Sequence, residues 1–234
     1  MNPNVSPDVS IDSISAEVHA EAHTDLSLFT RYSGNPILTQ NDWPYPINSV
    51  FNAGAVRLTD GNTLLLCRVE DRRGLSHLCA ARSANGIDNW VIDAQPTLPA
   101  NPRDYPEEVW GIEDPRVTYV PELGQFAVAY TSYARGGPGV SLALTKDFKS
   151  FERYGVIMQP EDKDAALLPR RINGLWALIH RPVTTLGAHM WISYSPICAT
   201  GAATRSFSRR AAAGGGMPTR LAFVLHRLKP REGG

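Results

Sequence analysis

Short apolar stretches that alternate with polar residues, broken by turns that contain glycine, fill the chain from about residue 26 to residue 196. An Asp-Gly-Asn turn at 60–62 separates 53–58 from 63–69, a Glu-Leu-Gly turn at 122–124 separates 116–120 from 125–133, and Asn-Gly at 173–174 separates 165–172 from 175–181. Such pairs predict β-hairpins. No long stretch keeps a 3.6-residue apolar period, so few helices are expected.

Each predicted hairpin is followed by two more short strands, and the whole unit repeats every 50 to 60 residues or so. The second pairs are 76–83 with 90–94, 140–145 with 151–157, and 190–195, for which the sequence offers no evident partner. A polar cluster recurs at the same strand end in each unit. Four-stranded units repeated in this way favour a β-propeller over a β-sandwich.

Composition is that of a globular protein. Hydrophobic residues make up 43% and charged residues 20% of the 234, which excludes wholesale disorder, a collagen repeat and a coiled coil. The net charge is zero, so the basic surface of a nucleic-acid-binding protein is not indicated. No apolar run could span a bilayer, and the N-terminus lacks the basic and apolar regions of a signal peptide. We expect a cytoplasmic protein.

The chain divides by composition into three regions. Residues 1–25 are polar and acidic and are expected to form a flexible lead-in, and 26–197 carry the predicted sheets. Residues 198–234 are rich in Ala, Arg and Gly, with six Arg and one Lys against a single Glu, and within them only 221–225 could pair as a strand. They are either a basic tail that binds something anionic or the product of a reading-frame change near Ile197. We favour the second, because the third set of strands stops midway.

Cysteine and histidine spacings do not indicate a metal site. Cys67, Cys79 and Cys198 form no Cys-x-x-Cys pair, and the six histidines show no His-x-His spacing. Their one His-x-x-x-His pair, His19 and His23, lies in the polar N-terminal stretch, where no helix pattern would bring the two rings together. Cys67 and Cys79 lie in apolar strands and are expected to be buried thiols.

Three polar clusters at strand ends could carry chemistry. In the first, a strand period of two places Arg68, Glu70 and Arg72 on one face and Asp71 on the other. Alternating charges on one face can hold a polyhydroxylated ligand, although they would equally suit an ion-paired surface strand.

The second cluster is the run from Trp110 to Arg116, which contains Glu113, Asp114 and Pro115. Proline suits the first residue of a strand, and Asp114 and Arg116 would then point one way with Glu113 opposite. A carboxylate beside Trp and Arg is a natural acid, because burial and a cation can tune its pKa. A turn-capping aspartate with a structural salt bridge is the alternative.

The third cluster pairs Asp162, Lys163 and Asp164 with His180 and Arg181. Two cations beside an acid could bind phosphate or a sugar carboxylate, and solvated charges at turns are the alternative.

Three aromatic side chains close to these clusters, Trp110, Tyr130 and Tyr133, could stack on sugar faces, although core packing is the usual fate of such residues. Glycine-rich nucleotide motifs and the Gly-x-Ser-x-Gly motif of serine hydrolases are absent from the sequence.

Taken together, five segments resemble glycoside hydrolase family 130, in that family's order and spacing. They are Phe51-Asn52-Ala53-Gly54-Ala55, Arg68-Val69-Glu70-Asp71, Gly111-Ile112-Glu113-Asp114-Pro115-Arg116, Asp162 to Pro169, and His180-Arg181-Pro182. The resemblance implies an all-β, five-bladed β-propeller, of which about three blades are present here, because it ends within the third. The chain would then be truncated or frame-shifted at its C-terminal end.

The resemblance also implies a function. Members of the family are mostly phosphorylases of β-mannosides, with some hydrolases, and this implies Asp114 as the catalytic acid in an inverting reaction. Asn48, Arg68 and Asp71 would line the mannosyl pocket, and Lys163 and Arg181 would hold inorganic phosphate, the attacking co-substrate. With the residues named above, Arg116 and Tyr130 complete the expected substrate contacts. A β-mannoside oligosaccharide and phosphate are the expected partners, without a cofactor, a nucleic acid or a membrane.

Two alternatives remain open. One is a propeller glycosidase that uses water and several carboxylates, for which Glu70 and Asp164 are the candidates. The other is a sugar-binding or decayed fragment with no turnover.

Overall fold

The computed structural model describes residues 30–185 and 187–196, together with the backbone of a strand at 224–227. The chain forms two compact units, 1–36 and 37–234. Of the first, residues 30–36 are described, and they contain a turn in which the Asn35 N–H donates to the Tyr32 carbonyl at 3.2 Å. The predicted lead-in at 1–25 lies outside the described residues.

The described strands form three antiparallel sheets, all in the second unit. The first contains β1 (Ser49–Arg57), β2 (Thr63–Glu70), β3 (Ser76–Ser83) and β4 (Val91–Ile92). The second contains β5 (Ile112–Val120), β6 (Gln125–Ala134), β7 (Gly137–Thr145) and β8 (Glu152–Met158). The third contains β9 (Asp162–Leu167), β10 (Trp176–Thr184), β11 (Gly187–Ala188), β12 (Trp191–Ser195) and β13 (Val224–Arg227). Short 3₁₀ turns lie at Gln40–Asp42 and Pro106–Glu108.

The all-β prediction is confirmed. The three predicted hairpins are present as β1–β2, β5–β6 and β9–β10. Gly61 and Gly124 take positive φ values of 88° and 59° in the first two turns, which glycine adopts without steric cost. Among the described residues, no helix has the length and apolarity needed to cross a membrane.

The sheets pack face to face through two apolar cores. One core, centred on Leu66, Leu78 and Tyr130, lies between the first and second sheets. The other, which includes Leu142 and Trp176, lies between the second and third. The first strands, β1, β5 and β9, contact one another in series. This radial stacking, with the first strand of each sheet innermost, is the arrangement of propeller blades.

The remaining face of the first sheet carries a third core. Cys67, Val69 and Cys79 pack there against Trp43 and Ile47, which precede β1. The prediction of buried thiols at Cys67 and Cys79 is confirmed, and burial raises the pKa of Cys67 to about 12. Cys198 lies outside the described residues.

The third sheet differs from the sequence expectation. Strand 190–195 was expected to lack a partner, but β12 pairs with β13, with Trp191 opposite Arg227 and Tyr194 opposite Val224. That prediction was wrong because the partner follows a long segment with no strand pattern of its own. Within the tail the sequence marks only 221–225 as able to pair, and β13 overlaps that range at residues 224 and 225. Most of 198–234 lies outside the described residues, and its two interpretations remain predictions.

Gly111 joins the first two sheets. Its φ is +101°, and it forms a parallel bridge with Ser76 at the start of β3. A Cβ at this position would lie 2.7 Å from both the backbone nitrogen and the carbonyl oxygen of Ser76. Gly111 therefore meets two constraints, a left-handed backbone and a close approach to a neighbouring strand.

We expect Gly111→Ala to lower the free energy of unfolding by about 3 kcal/mol or more, since it combines backbone strain with a clash against main-chain atoms. Gly124→Ala is the matched control. Its φ is also positive, but a Cβ there would meet nothing within 4 Å, so a loss of about 1 kcal/mol is expected. Urea unfolding of both variants measures the difference, and equal losses would contradict the role given to the Gly111–Ser76 contact.

Candidate active site

The innermost strand of every sheet carries a β-bulge at the same place. Residues 52–53 of β1, 114–115 of β5 and 164–165 of β9 each oppose a single residue of the next strand. The first bulge residue is left-handed in each case: Asn52 (φ +45°), Asp114 (+48°) and Asp164 (+55°). Asn and Asp tolerate this region better than other side chains do, and bulges re-aim side chains next to active sites.

Pro115 lies inside the second bulge. It is the fourth residue of β5, whereas the sequence suggested the first residue of a strand. The bulge explains the difference, because its residues have no partner in the sheet and a missing N–H costs no ladder hydrogen bond.

Arg68 connects the first two sheets at this level. Its Nη1 donates to Asp114 Oδ1 and its Nη2 donates to Glu113 Oε1, both at 3.0 Å. Its Nε donates to Ser76 Oγ at 3.0 Å, and its guanidinium lies 4.5 Å from the centre of the Phe51 ring. The side chain is only 14% exposed. Charge-assisted hydrogen bonds in such a shielded place are strong and directional.

Glu113 and Asp114 thus contact the same guanidinium. Strand alternation predicted Glu113 on the opposite side from Asp114, and this prediction was wrong. The bulge removes one step of the alternation, so that two consecutive side chains reach Arg68.

Asp114 is buried, and one of its oxygens is fully engaged. Oδ1 accepts from Arg68 and also from Asn52 Nδ2, at 2.9 Å. Oδ2 receives no hydrogen bond from the described residues. Asn52 comes within reach because β1 has glycine at position 54, where a Cβ would lie 2.7 Å from the Pro115 carbonyl oxygen. The carboxyl group is therefore held by one oxygen, with the other available to a ligand.

Glu113 forms an ion pair with Arg68, yet its pKa is raised and not lowered. Burial raises the pKa of Glu113 above its ordinary value, and the charges of Asp114 and Glu70 raise it further. The charges of Arg68 and Lys163 act the other way but do not cancel the rise. Lys163, on β9 of the third sheet, is therefore close enough to influence this acidic pair.

Lys163 and Arg181 occupy opposite positions on β9 and β10, directly before the third bulge. Arg181 is paired with Asp164, to which its Nε donates at 2.8 Å and its Nη2 makes a second, shorter contact. Lys163 is half-buried and makes no hydrogen bond or ion pair within the described part of the chain. The structure thus presents one compensated cation and one uncompensated cation side by side.

A buried polar chain lies behind these two cations. His180 Nδ1 is 2.5 Å from Asp162 Oδ2, and His180 Nε2 is 2.7 Å from Ser193 Oγ. All three side chains are buried. The chain ties β9, β10 and β12 together next to Lys163 and Arg181, which fixes the strand end that carries them.

The other expected substrate contacts are more scattered. Asn48 is exposed, and its Nδ2 donates to Glu70 Oε1 at 2.6 Å. Asp71 caps a turn, where it accepts from the Leu75 N–H and from both the backbone and side chain of Arg73. Burial acts to raise the pKa of Asp71, but these hydrogen bonds together outweigh burial, so the pKa of Asp71 is lowered. Arg116 is half-buried and donates to the Pro115 carbonyl at 3.0 Å.

Tyr130 lies in the core between the first two sheets and is 2% exposed. Its hydroxyl donates to Glu108 Oε1 at 2.8 Å, and the other oxygen of that buried carboxylate accepts from Arg153 and from the Asn101 N–H. A side chain so enclosed has no surface to offer a sugar, so we leave Tyr130 out of the proposed substrate contacts. Trp110 and Tyr133, by contrast, are exposed and pack edge to face with their ring centres 5.4 Å apart.

Comparison with known proteins assigns the chain to a protein family. The profile of a family described as β-1,4-mannooligosaccharide phosphorylase matches residues 21–200, well over half of the sequence. The chain belongs to glycoside hydrolase family 130. The predicted resemblance is confirmed, and the three sheets correspond to three blades of the family's five-bladed propeller.

Individual relatives agree with this assignment. The chain is 36% identical over 125 residues to the β-1,2-mannobiose phosphorylase of Listeria innocua, covering 52% of this chain and 33% of that protein. It is 32% identical over 174 residues to the β-1,4-mannooligosaccharide phosphorylase of Ruminococcus albus, covering 71% and 51%. A solved complex of the Listeria enzyme with β-1,2-mannobiose aligns with a TM-score of 0.62 and 27% identity, covering 71% of this chain and 62% of that one. The chain spans less than two thirds of each relative.

Sequence reasoning placed Asp164 in the third cluster but missed Asn52 and Ser76 as members of these hydrogen-bonded groups. A signal was present for Asn52, because it occupies the same place in its repeat as Asp114 does. No such signal marks Ser76. Among the described residues, no group of three His, Cys, Asp or Glu side chains could hold a metal ion.

We expect Glu113→Gln to change how stability depends on pH. The folded state holds the Glu113 proton more tightly than the unfolded chain does, so this contribution to the free energy of unfolding is present below about pH 4.5 and is lost as the pH rises through the folded pKa. The variant should therefore gain stability relative to the parent protein between pH 4.5 and pH 7.5. Urea unfolding at both values tests this, with the exposed Glu152→Gln as control. An unchanged difference between the two pH values would contradict the buried position of Glu113.

Proposed function

We propose that this protein cleaves β-mannosides by phosphorolysis, with Asp114 as the general acid and inorganic phosphate as the attacking group. The observation that carries the proposal is the Asp114 carboxyl, which Arg68 and Asn52 hold by Oδ1 while Oδ2 remains unbonded. An acid catalyst needs this combination of fixed orientation and one available oxygen. Membership of family 130 and the phosphorylase names of the relatives support the reaction class.

In the proposed reaction a phosphate oxygen bonds to the anomeric carbon of the mannosyl unit from the face opposite the leaving sugar. The bond from that carbon to the leaving oxygen breaks, and the leaving oxygen takes up the proton that Asp114 Oδ2 supplies. As the family resemblance implies, a sugar hydroxyl relays this proton. The products are mannose 1-phosphate with inverted configuration and a saccharide shortened by one unit.

Lys163 and Arg181 are proposed to hold the phosphate. Lys163 has no ion pair among the described residues, so its charge is fully available to an anion. Asp164 already compensates part of the charge of Arg181. The buried chain from Asp162 through His180 to Ser193 would keep both cations in place while phosphate enters and product leaves.

For the acid, the decisive test is release of mannose 1-phosphate from β-1,4-mannobiose and from β-1,2-mannobiose, with and without phosphate. We expect phosphate-dependent release, and we expect Asp114→Asn to lower it by about 10²- to 10⁴-fold, the usual contribution of a positioned acid. Circular dichroism of both proteins checks that they fold.

Glu113→Gln distinguishes the two carboxylates that share Arg68. It should lower the rate far less than Asp114→Asn does, because Gln can still accept the hydrogen bond from Arg68. A larger loss in Glu113→Gln would make Glu113 the acid. Free mannose released without phosphate would instead establish hydrolysis, and a folded protein with no product would support the sugar-binding alternative.

For phosphate, we expect Lys163→Ala to raise the KM for phosphate by about 10- to 100-fold, the equivalent of losing one charged hydrogen bond. The KM for mannobiose should change much less. Lys146→Ala removes an exposed lysine from the turn after β7 and serves as the control. Equal changes in both KM values would contradict the assignment of Lys163 to phosphate.

A further inference from the structure

A cleft of about 530 Å³ opens beside the Arg68–Asp114 pair, and the function proposed above does not use it. We call it the side cleft. Its inner end is formed by Ser76 and Gly111, the two residues that bridge the first and second sheets. Ser76 Oγ also accepts the hydrogen bond from Arg68 Nε. The side cleft therefore begins one residue from the guanidinium that holds Asp114.

The lining favours an uncharged ligand with flat, apolar faces. Six of its members present rings, and they are Tyr45, Pro46, His77, Pro96, Pro99 and Pro102. The charges of the half-buried Asp71 and the exposed Arg73 cancel, since Arg73 donates to Asp71 through both Nε and Nη2. The remaining carboxylate, Glu108, is fully buried and ion-paired with Arg153. A phosphate or nucleotide would find no net positive charge here.

Hydrogen-bonding groups are present among the rings. Tyr45 Oη and His77 Nε2 lie 2.9 Å apart, which leaves His77 Nδ1 without a partner in the described chain. Burial lowers the pKa of His77, so its neutral ring can both donate and accept. The exposed side-chain amide of Gln95 also has no hydrogen-bond partner among the described residues. Beyond the inner end, the exposed pair Trp110 and Tyr133 adds aromatic surface.

We propose that the side cleft binds the leaving-group side of a β-mannooligosaccharide, the sugar units that lie beyond the bond next to Asp114. Sugars combine apolar ring faces with hydroxyl groups, which matches stacked rings mixed with neutral donors and acceptors. The volume lies within the ordinary range for small-molecule sites. The inference rests on the proposed function, which sets the direction in which the bound oligosaccharide runs. It assigns the cleft to substrates longer than a disaccharide.

Two filling variants test the proposal. Gln95→Trp and Pro99→Trp each place an indole in the cleft from an exposed position. Ala94→Trp is the matched control, because it adds the same group at an exposed neighbour that does not line the cleft. Thermal unfolding of all three checks that they fold.

Binding is measured first, by calorimetric titration of β-1,4-mannotetraose into protein that also carries Asp114→Asn, without phosphate. Both filling variants should weaken binding at least tenfold, while Ala94→Trp should not. Unchanged binding in the filling variants, or no binding by the unfilled protein, would overturn the proposal. This measurement does not depend on turnover, so it separates failure of the cleft from failure of the proposed reaction.

Turnover gives the second measurement. The ratio of kcat/KM for mannotetraose to kcat/KM for mannobiose should fall at least tenfold in the filling variants and stay the same in Ala94→Trp. An equal ratio in all the proteins would show that the cleft does not contribute to the preference for longer oligosaccharides, and it would overturn the proposal.

Discussion

The guanidinium of Arg68 is the interaction on which the candidate site depends. Arg68 belongs to the first sheet. Its three side-chain nitrogens donate to Ser76 of the same sheet and to Glu113 and Asp114 of the second. Two carboxylates this close would repel each other without a shared cation. Arg68 therefore fixes the acidic pair in space and, at the same time, joins the second strand of the first sheet to the innermost strand of the second.

The bulges make this arrangement possible. A regular strand would send Glu113 and Asp114 to opposite faces, and only one could reach Arg68. The left-handed residue at the start of each bulge turns its side chain towards the neighbouring sheet or strand. In the first two sheets the result is the contact between Asn52 and Asp114, and in the third it is the contact between Asp164 and Arg181. Each repeat of the fold thus places a left-handed Asn or Asp at the same position of its innermost strand, where the side chain contributes to the site.

The third sheet contributes charge rather than a partner for the acid. Lys163 influences Glu113 electrostatically, while Arg181 is engaged by Asp164. Behind them, the buried hydrogen bonds of His180 join three strands. These bonds hold the three strands in one register, although the second Asp162 oxygen, Oδ1, is buried without a hydrogen-bond partner in the described part of the chain. An anion site at this strand end would be rigid before any ligand arrives.

The sequence by itself determined the hairpins, the four-stranded repeat and the family, because glycine turns, a two-residue period and short motifs are local properties. It also brought Arg68, Asp114, Lys163 and Arg181 forward as candidates. Only the tertiary structure decided which groups meet. Bulges depend on pairing with a second strand, so the side to which Glu113 points could not be read from alternation. Burial of Tyr130 depends on two sheets packing together, and the pairing of β12 with β13 spans a segment with no local strand pattern. Contacts between residues distant in sequence decided each of these points.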